Sequence, residues 1–468
     1  MGLRLCRTRL AVALCGAALV CASCATAPAE PAAPRMPAAY EQALPDGEWP
    51  RPDWYQGFGN AELAALIVRA TSANLDLAAA QARVLQANAR ARLAGAALLP
   101  GIDANGTVTD THGRAGSASL HETDWSALVS ASYEIDFWGA NRQASRSAKL
   151  LAAAGQAEQG VIRLTTVASV ATTYFELLSA RERLAVAQSN VDNARQVLRA
   201  VEARYGAGLS SPFELATQRA AQASAELAVE PLRQSELELR AALAVLVGET
   251  PEDFQVAGVN LDGLSEPVIS AGLPSELLRR RPDLRAAEWS LQAAHADLQA
   301  ARAAFFPRIT LTSNGGVQNP AVQAAVNTLA GTGSAVVLGA SVVQGIFDGG
   351  RRRATRDAAA AREQELLATY RGIVLGALRD VEVSLSSVAR LQAQTDAQQQ
   401  NLQQSSLAFQ GAQMRYQAGY GDYLAMLEAQ RTLCAARDQR SQFRLAQLKA
   451  LVGVFKALGG GWTDEPLQ

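Results

Sequence analysis

The chain is built twice, and each copy carries only two short strand candidates between very long helices. The repeat is legible residue by residue. Ala97-Leu98-Leu99-Pro100 returns as Ala304-Phe305-Phe306-Pro307, and Arg204-Tyr205-Gly206-Ala207-Gly208 returns as Arg415-Tyr416-Gln417-Ala418-Gly419. Leu75-Asp76-Leu77 before Ala79-Ala80 returns as Pro282-Asp283-Leu284 before Ala286-Ala287. The period is roughly 210 residues, far beyond any solenoid unit. Four short strands cannot close a barrel, and open sheet edges do not survive in lipid. If these strands cross a membrane, the protein is an oligomer.

Arg4, Arg7 and Arg9 precede an apolar run from Leu10 to Cys21. A basic start, a short apolar run and small residues after it make a secretory signal peptide. Ala22-Ser23-Cys24 fits the end of a lipoprotein signal, with Cys24 as the acylated residue, although Cys21 stands where an aliphatic residue is usual. The alternative is ordinary cleavage near Ala25 to Ala27. Cys6, Cys15 and Cys21 would leave with the signal, so Cys24 and Cys434 remain. With Cys24 acylated no intramolecular disulfide is possible, and Cys434 reads as a small buried apolar residue. From Ala25 to Pro52, Pro28, Pro31, Pro34, Pro37, Pro45, Pro50 and Pro52 make an extended tether.

The formal net charge is -1, so there is no basic footprint for nucleic acid. After the signal no run of eighteen or more apolar residues follows, which excludes a helical transmembrane protein. His112, His121 and His295 are the only three His, and none stands at metal-ligand spacing with another His or Cys. No Gly-rich phosphate loop follows a strand. Gly459-Gly460-Gly461 ends a helix. No convergent nucleophile, base and metal set points to an enzyme, and no cofactor is expected.

No Pro occurs between Pro100 and Pro212, nor between Pro320 and Pro466. From Ala140 to Arg204 the chain is rich in strong helix formers. Val161, Leu164, Ala168, Ala171, Phe175 and Leu178 step by three and four, and after a phase break Leu184, Ala187, Val191, Ala194, Leu198 and Val201 resume the seam. About 65 residues at 1.5 Å each predict a rod on the order of 100 Å. The stretch from Arg351 to Tyr416 repeats the behaviour. Gly208 and Gly419 close the rods in the left-handed conformation. Ser210-Ser211-Pro212 then offers an N-cap and a first-turn Pro. A returning helix is predicted through Glu214 to Val247, with its counterpart from Tyr423 to Leu458.

The strand candidates follow Pro100 and Pro307. Ile102, Ala104, Gly106 and Val108 alternate with Asp103, Asn105, Thr107 and Thr109. Val129, Ala131, Tyr133, Ile135 and Phe137 alternate with Ser130, Ser132, Glu134 and Asp136, and Ile309 and Leu311 with Arg308, Thr310 and Thr312. That is apolar-out, polar-in alternation at membrane-strand length, although soluble hairpins share the pattern. The fourth run, Ala335 to Phe347, alternates poorly because Val336, Val337 and Leu338 are consecutive. We divide the chain into a signal peptide (1–23), a tether (24–53), a first repeat (54–255, strand hairpin 101–137), a linker (256–272), a second repeat (273–462, strand hairpin 308–347) and a tail (463–468).

Five stretches resemble a known family: Leu273-Pro274-Ser275-Glu276-Leu277-Leu278, Arg281-Pro282-Asp283-Leu284 with Ala287-Glu288, Phe306-Pro307, Phe347-Asp348-Gly349-Gly350, and Phe455-Lys456-Ala457-Leu458-Gly459-Gly460-Gly461-Trp462. From Trp54 to Trp462 the chain resembles an outer membrane factor of the TolC/OprM type, in the NodT-like lipoprotein branch. The resemblance implies an α+β membrane protein and a homotrimer. Four strands per chain would close a 12-stranded outer-membrane β-barrel, continued by a long periplasmic α-helical barrel. It also implies an exit duct of a tripartite efflux pump in a Gram-negative outer membrane, with a periplasmic adaptor and an inner-membrane transporter as partners. By its own residues, Arg281-Pro282-Asp283 reads as structural, Pro282 in a first turn and Asp283 at its dipole.

In the family the helical tips close an aperture and meet the adaptor. Here the resemblance assigns the tips to Arg204, Gly208, Arg415 and Gly419, and matches the constriction to Leu424 and Glu428, where the family more often has Asp. Three carboxylates in a ring would favour cations. Alternatively, Glu428 pairs with an Arg on a neighbouring helix. The leading function is passive export of small amphiphilic compounds. A protein-secretion duct and a non-conducting coiled-coil envelope tether are the alternatives, and the paired strand hairpins argue against the tether.

Overall fold

The computed structural model describes residues 36–41, 49–116, 118–269, 272–318 and 335–463. The signal peptide, Cys24, and the loop with Asn319, Pro320, Gly331 and Gly333 lie outside the described residues. In chain order the elements are α1 (Ala61–Ala73), α2 (Leu75–Ala96), β1 (Gly101–Ala115), β2 (Ala118–Ile135), α3 (Ala140–Gly206), α4 (Pro212–Leu227) and α5 (Val229–Val247). Then come α6 (Leu277–Arg280), α7 (Pro282–Ala303), β3 (Arg308–Gln318), β4 (Ala335–Val343), α8 (Arg351–Gln417) and α9 (Tyr423–Ala457). Both α3 and α8 run 67 residues.

The first returning helix differs from its prediction, because α4 and α5 break at Ala228. The cause is Pro231. Its ring meets the carbonyl four residues back, at Leu227, and it has no N–H to give. The counterpart α9 has no Pro and runs unbroken for 35 residues.

Packing divides the chain into two compact units, and each takes pieces of both repeats. Among the described residues, one holds 87–153 and 287–371 with all four strands; the other holds 36–86, 154–286 and 372–463.

In the strand unit one antiparallel sheet has the order β1-β2-β3-β4. Directly opposed residues share a face, so the register assigns every side chain to one of two surfaces. Ile102 faces Ala131, which faces Ser313, which faces Leu338. On that surface Ile102, Val108, Val129, Leu311, Val336, Leu338 and Val342 are all exposed. The other surface carries Asp103, Asn105, Ser130, Ser132, Thr310, Thr312, Asn314 and Ser341. The poor alternation of the fourth run is thereby resolved. Val336, Leu338, Ala340 and Val342 lie on the apolar face, and Val337 and Val343 fall on the polar one. At the helix end of the sheet, Trp138 Nε1 donates to the Pro307 carbonyl at 2.8 Å, and its ring stacks on Phe306 at 4.6 Å. Asp136 accepts from the backbone N–H groups of Asn141 and Arg142, and so caps the start of α3.

In the helical unit the core surrounds α3. Val167, Val170, Ala171, Tyr174, Phe175, Leu177 and Leu178 are all buried, and Phe58 packs its ring 5.0 Å from that of Phe175. Part of α3 is apolar enough, by length and composition, to cross a membrane, but half of that stretch is buried within the protein. A helix apolar on all sides needs a surround of apolar neighbours, and here the protein supplies it. The second seam is buried at Ala187, Val191, Ala194 and Val201, with Val197 taking the buried place expected of Leu198.

Two carboxylates tie distant segments to this core. Glu62 accepts from the N–H groups of Ala257 (2.6 Å) and Gly258 (2.9 Å) and from the Tyr174 hydroxyl (2.8 Å). Burial, then the bond to Glu62, raises the Tyr174 pKa, so the phenol stays neutral and keeps donating. Asp283 holds Arg281 through two hydrogen bonds of 3.0 and 2.6 Å, and Arg281 donates to the Ala457 carbonyl at the end of α9 (2.9 Å). Arg281-Pro282-Asp283 is thus a structural clamp on a helix C-terminus, where a cation is favoured. Cys434 is half-buried with a free thiol, and burial pushes its pKa up.

Candidate functional site

The two tips are built by the same local chemistry. At the end of α3 the Leu209 N–H reaches the Arg204 carbonyl (2.8 Å) and the Gly208 N–H reaches that of Tyr205 (3.0 Å). At the end of α8 the Tyr420 N–H reaches Arg415 (3.2 Å) and the Gly419 N–H reaches Tyr416 (3.1 Å). Both are Schellman closures, and they need a left-handed residue. Gly208 and Gly419 supply it, at φ of 73° and 86°. Ser211 then caps α4 by accepting from the Glu214 N–H, and Asp422 caps α9 by accepting from that of Leu424.

Inside the tips, Val197, Val201, Tyr416, Tyr423, Met426 and Leu427 form one buried cluster. Arg204 lies over the Tyr416 ring at 4.8 Å, a cation–π contact. The Tyr423 hydroxyl donates to Gln218 Oε1 at 3.0 Å, and Gln218 Nε2 donates to the Ala194 carbonyl at 3.2 Å. Burial first, with Tyr416 and Glu214 adding, pushes the Tyr423 pKa up to about 12, so this donor is neutral at ordinary pH.

Leu424 and Glu428 are exposed and, four apart on α9, share a face. That face is opposite the one that buries Tyr423, Met426, Leu427 and Gln430. None of the ion pairs among the described residues uses the Glu428 carboxylate; its backbone carbonyl accepts from Thr432. Arg204 is held inside the tip by Tyr416, while Arg415, Gly419 and Gly208 are exposed.

One cluster escaped the reading of His spacing along the chain. The tight turn at Gly116 pairs His112 with His121 across β1 and β2, and Asp110 with Thr123. Their ring centroids are 4.3 Å apart, the two Nδ1 atoms 2.8 Å apart, and His112 Nε2 lies 3.1 Å from Asp110 Oδ2. Numbers symmetric about the turn were the available signal.

The outer membrane efflux protein family profile matches residues 66–249 and 273–460. The pyoverdine export outer membrane protein OpmQ of Pseudomonas aeruginosa is 43% identical over 88% of this chain and 88% of its own length. The toluene efflux pump outer membrane protein TtgF of Pseudomonas putida is 31% identical over 88% of this chain and 86% of its own. The solved open state of the MtrE outer membrane channel of Neisseria gonorrhoeae superposes with a TM-score of 0.79, covering 92% of this chain and 99% of that one at 27% identity.

Proposed function

The chain belongs to the outer membrane efflux protein family, and we propose that three copies form a passive exit duct for small amphiphilic compounds. An inner-membrane transporter delivers them through a periplasmic adaptor. The observation that carries this reading is the open four-stranded sheet with one exposed apolar face. Such a face is intolerable in water and ordinary in lipid. Joining β1 of one copy to β4 of the next closes twelve strands and leaves no edge. The band fits a bilayer. From Trp125 to Ile135, at ~3.3 Å per residue and a tilt of ~40°, β2 rises roughly 25 Å, the height of a barrel's apolar band. The polar face then lines the pore.

TtgF is named for toluene, a small apolar compound, and this favours efflux over protein secretion. A non-conducting tether has no use for an exposed apolar sheet face. The purified chain is expected to sediment in detergent as three copies and to conduct ions in a planar bilayer. A stable monodisperse monomer, or a trimer without conductance, would overturn the duct.

The tips around Arg204, Gly208, Arg415 and Gly419 contact the adaptor, and Leu424 and Glu428 form the aperture. Cys24 carries the lipid anchor, and the Pro-rich segment tethers it to the body. Cys24→Ser is expected to abolish metabolic labelling with palmitate. Labelling that persists in this variant refutes the anchor. A membrane-integral barrel inserts on its own account, so the variant still reaches the outer membrane.

A further inference from the structure

We propose that Asp110, His112 and His121 bind a divalent transition-metal cation at the turn end of the β1–β2 hairpin. One ligand atom from each lies within 4.8 Å of the others. The chain has three His, and two of them face each other across paired strands with an Asp beside them on the same surface. Opposed strand positions hold their Cβ atoms about 5 Å apart, which lets two imidazoles reach one ion. The contacts found here, 2.8 Å between the Nδ1 atoms and 3.6 Å from His121 Nδ1 to Asp110 Oδ1, bracket the spacing of roughly 3.3 Å expected between ligands on a tetrahedral ion. Two nitrogens at 2.8 Å must share a proton, and a cation takes that proton's place.

The ligand set selects the ion. Imidazole with one carboxylate suits Zn2+, Cu2+ or Ni2+, whereas Mg2+ and Ca2+ want oxygen alone. Three protein ligands leave a coordination position open to solvent. The register fixes the site's surroundings. Asp110 and His112 share the surface of Val108, whose opposed partner is Trp125, and they continue that surface towards the turn, away from the helices. On our membrane reading, this puts the site outside the bilayer at the cell's exterior, where ions reach it without entering the duct. A bound ion would bridge β1 and β2 and clamp the free end of the hairpin. The third residue of this type, His295, is engaged with Glu363 (2.7 Å) and Gln299 (3.3 Å), and it serves as an internal control.

The test uses the full-length protein in detergent, titrated with Cu2+. One ion per chain is expected by calorimetry, with a paramagnetic resonance spectrum showing two imidazole nitrogens. His112→Ala/His121→Ala is expected to lose at least about tenfold in affinity and the nitrogen signature, and Asp110→Asn to lose affinity while keeping both nitrogens. The single His112→Gln variant reads the same loss if the double variant does not assemble. Wild-type protein without stoichiometric binding or without two-nitrogen ligation, or a His variant that binds like wild type, would overturn the site. None of these readouts depends on conduction, so failure here leaves the duct standing.

Discussion

Replacing both Leu424 and Glu428 with Ala is expected to raise single-channel conductance severalfold and to weaken cation preference in a planar bilayer. The two side chains are exposed on one face of α9, directly beside the Gly419 turn, and the chain's own contacts leave that face uncovered. Around a three-fold axis the pair would form a ring of three apolar side chains next to a ring of three carboxylates. Apolar constrictions block ions by dewetting, and a carboxylate ring selects cations. Ala removes both the bulk and the charge. The buried side of α9, with Tyr423, Met426 and Leu427, is untouched, so the tip is expected to stay folded. An open state exists for the MtrE channel. Opening here would require the tips to spread, with Gly419 and Gly421 as bending points. Glu428→Gln separates the two effects, since it should shift selectivity with little change in conductance. Wild-type conductance and selectivity in the double variant would return Glu428 to the status of an ordinary surface acid.

Gly459→Ala is expected to prevent stable folding of the helical unit, or to cost it about 2–5 kcal/mol, where Gly208→Ala costs about 1–2. Both glycines have positive φ, 91° and 73°, and a side chain suffers the same left-handed strain at either. They differ in their surroundings. A Cβ on Gly459 would stand 2.2 Å from the Arg280 carbonyl oxygen, whereas one on Gly208 meets nothing within 4 Å. The next two residues are equally tight. A Cβ on Gly460 would lie 2.2 Å from Leu164 Cδ1, and one on Gly461 would lie 2.1 Å from the Arg51 carbonyl carbon. Thermal melting followed by circular dichroism, together with the yield of purified trimer, checks the ranking. Equal losses in the two variants would mean that the neighbours yield and that backbone strain alone is at work.

The features that were legible in the sequence are those that a few adjacent residues control. The 67-residue helices follow from helix-forming composition and from where Pro is missing. Their ends follow from Gly208 and Gly419, and the start of α4 from Ser211 and Pro212. The break at Ala228 was equally local, and Pro231 was its overlooked signal. The need for an oligomer followed from counting strands, because edges in lipid must pair.

Other features depended on residues far apart in the chain. Glu62 meets Ala257 and Gly258 across nearly two hundred positions, and no local pattern marks it as a tie. Gly459-Gly460-Gly461 read as a helix stop, yet the structure gives the triplet a second role: it lets the chain end pass against Arg280, Leu164 and Arg51 with no room for a side chain. In β4 the run of three apolar residues left the faces undefined until its pairing with β3 set the register, with Val336 and Leu338 on the apolar face and Val337 on the polar one. His112 and His121 were nine positions apart in the sequence and came into contact only when the hairpin turn paired them. Local backbone preference is encoded in neighbouring residues and can be read in place. Register and close approach depend on which surfaces meet, and only the tertiary structure decides that.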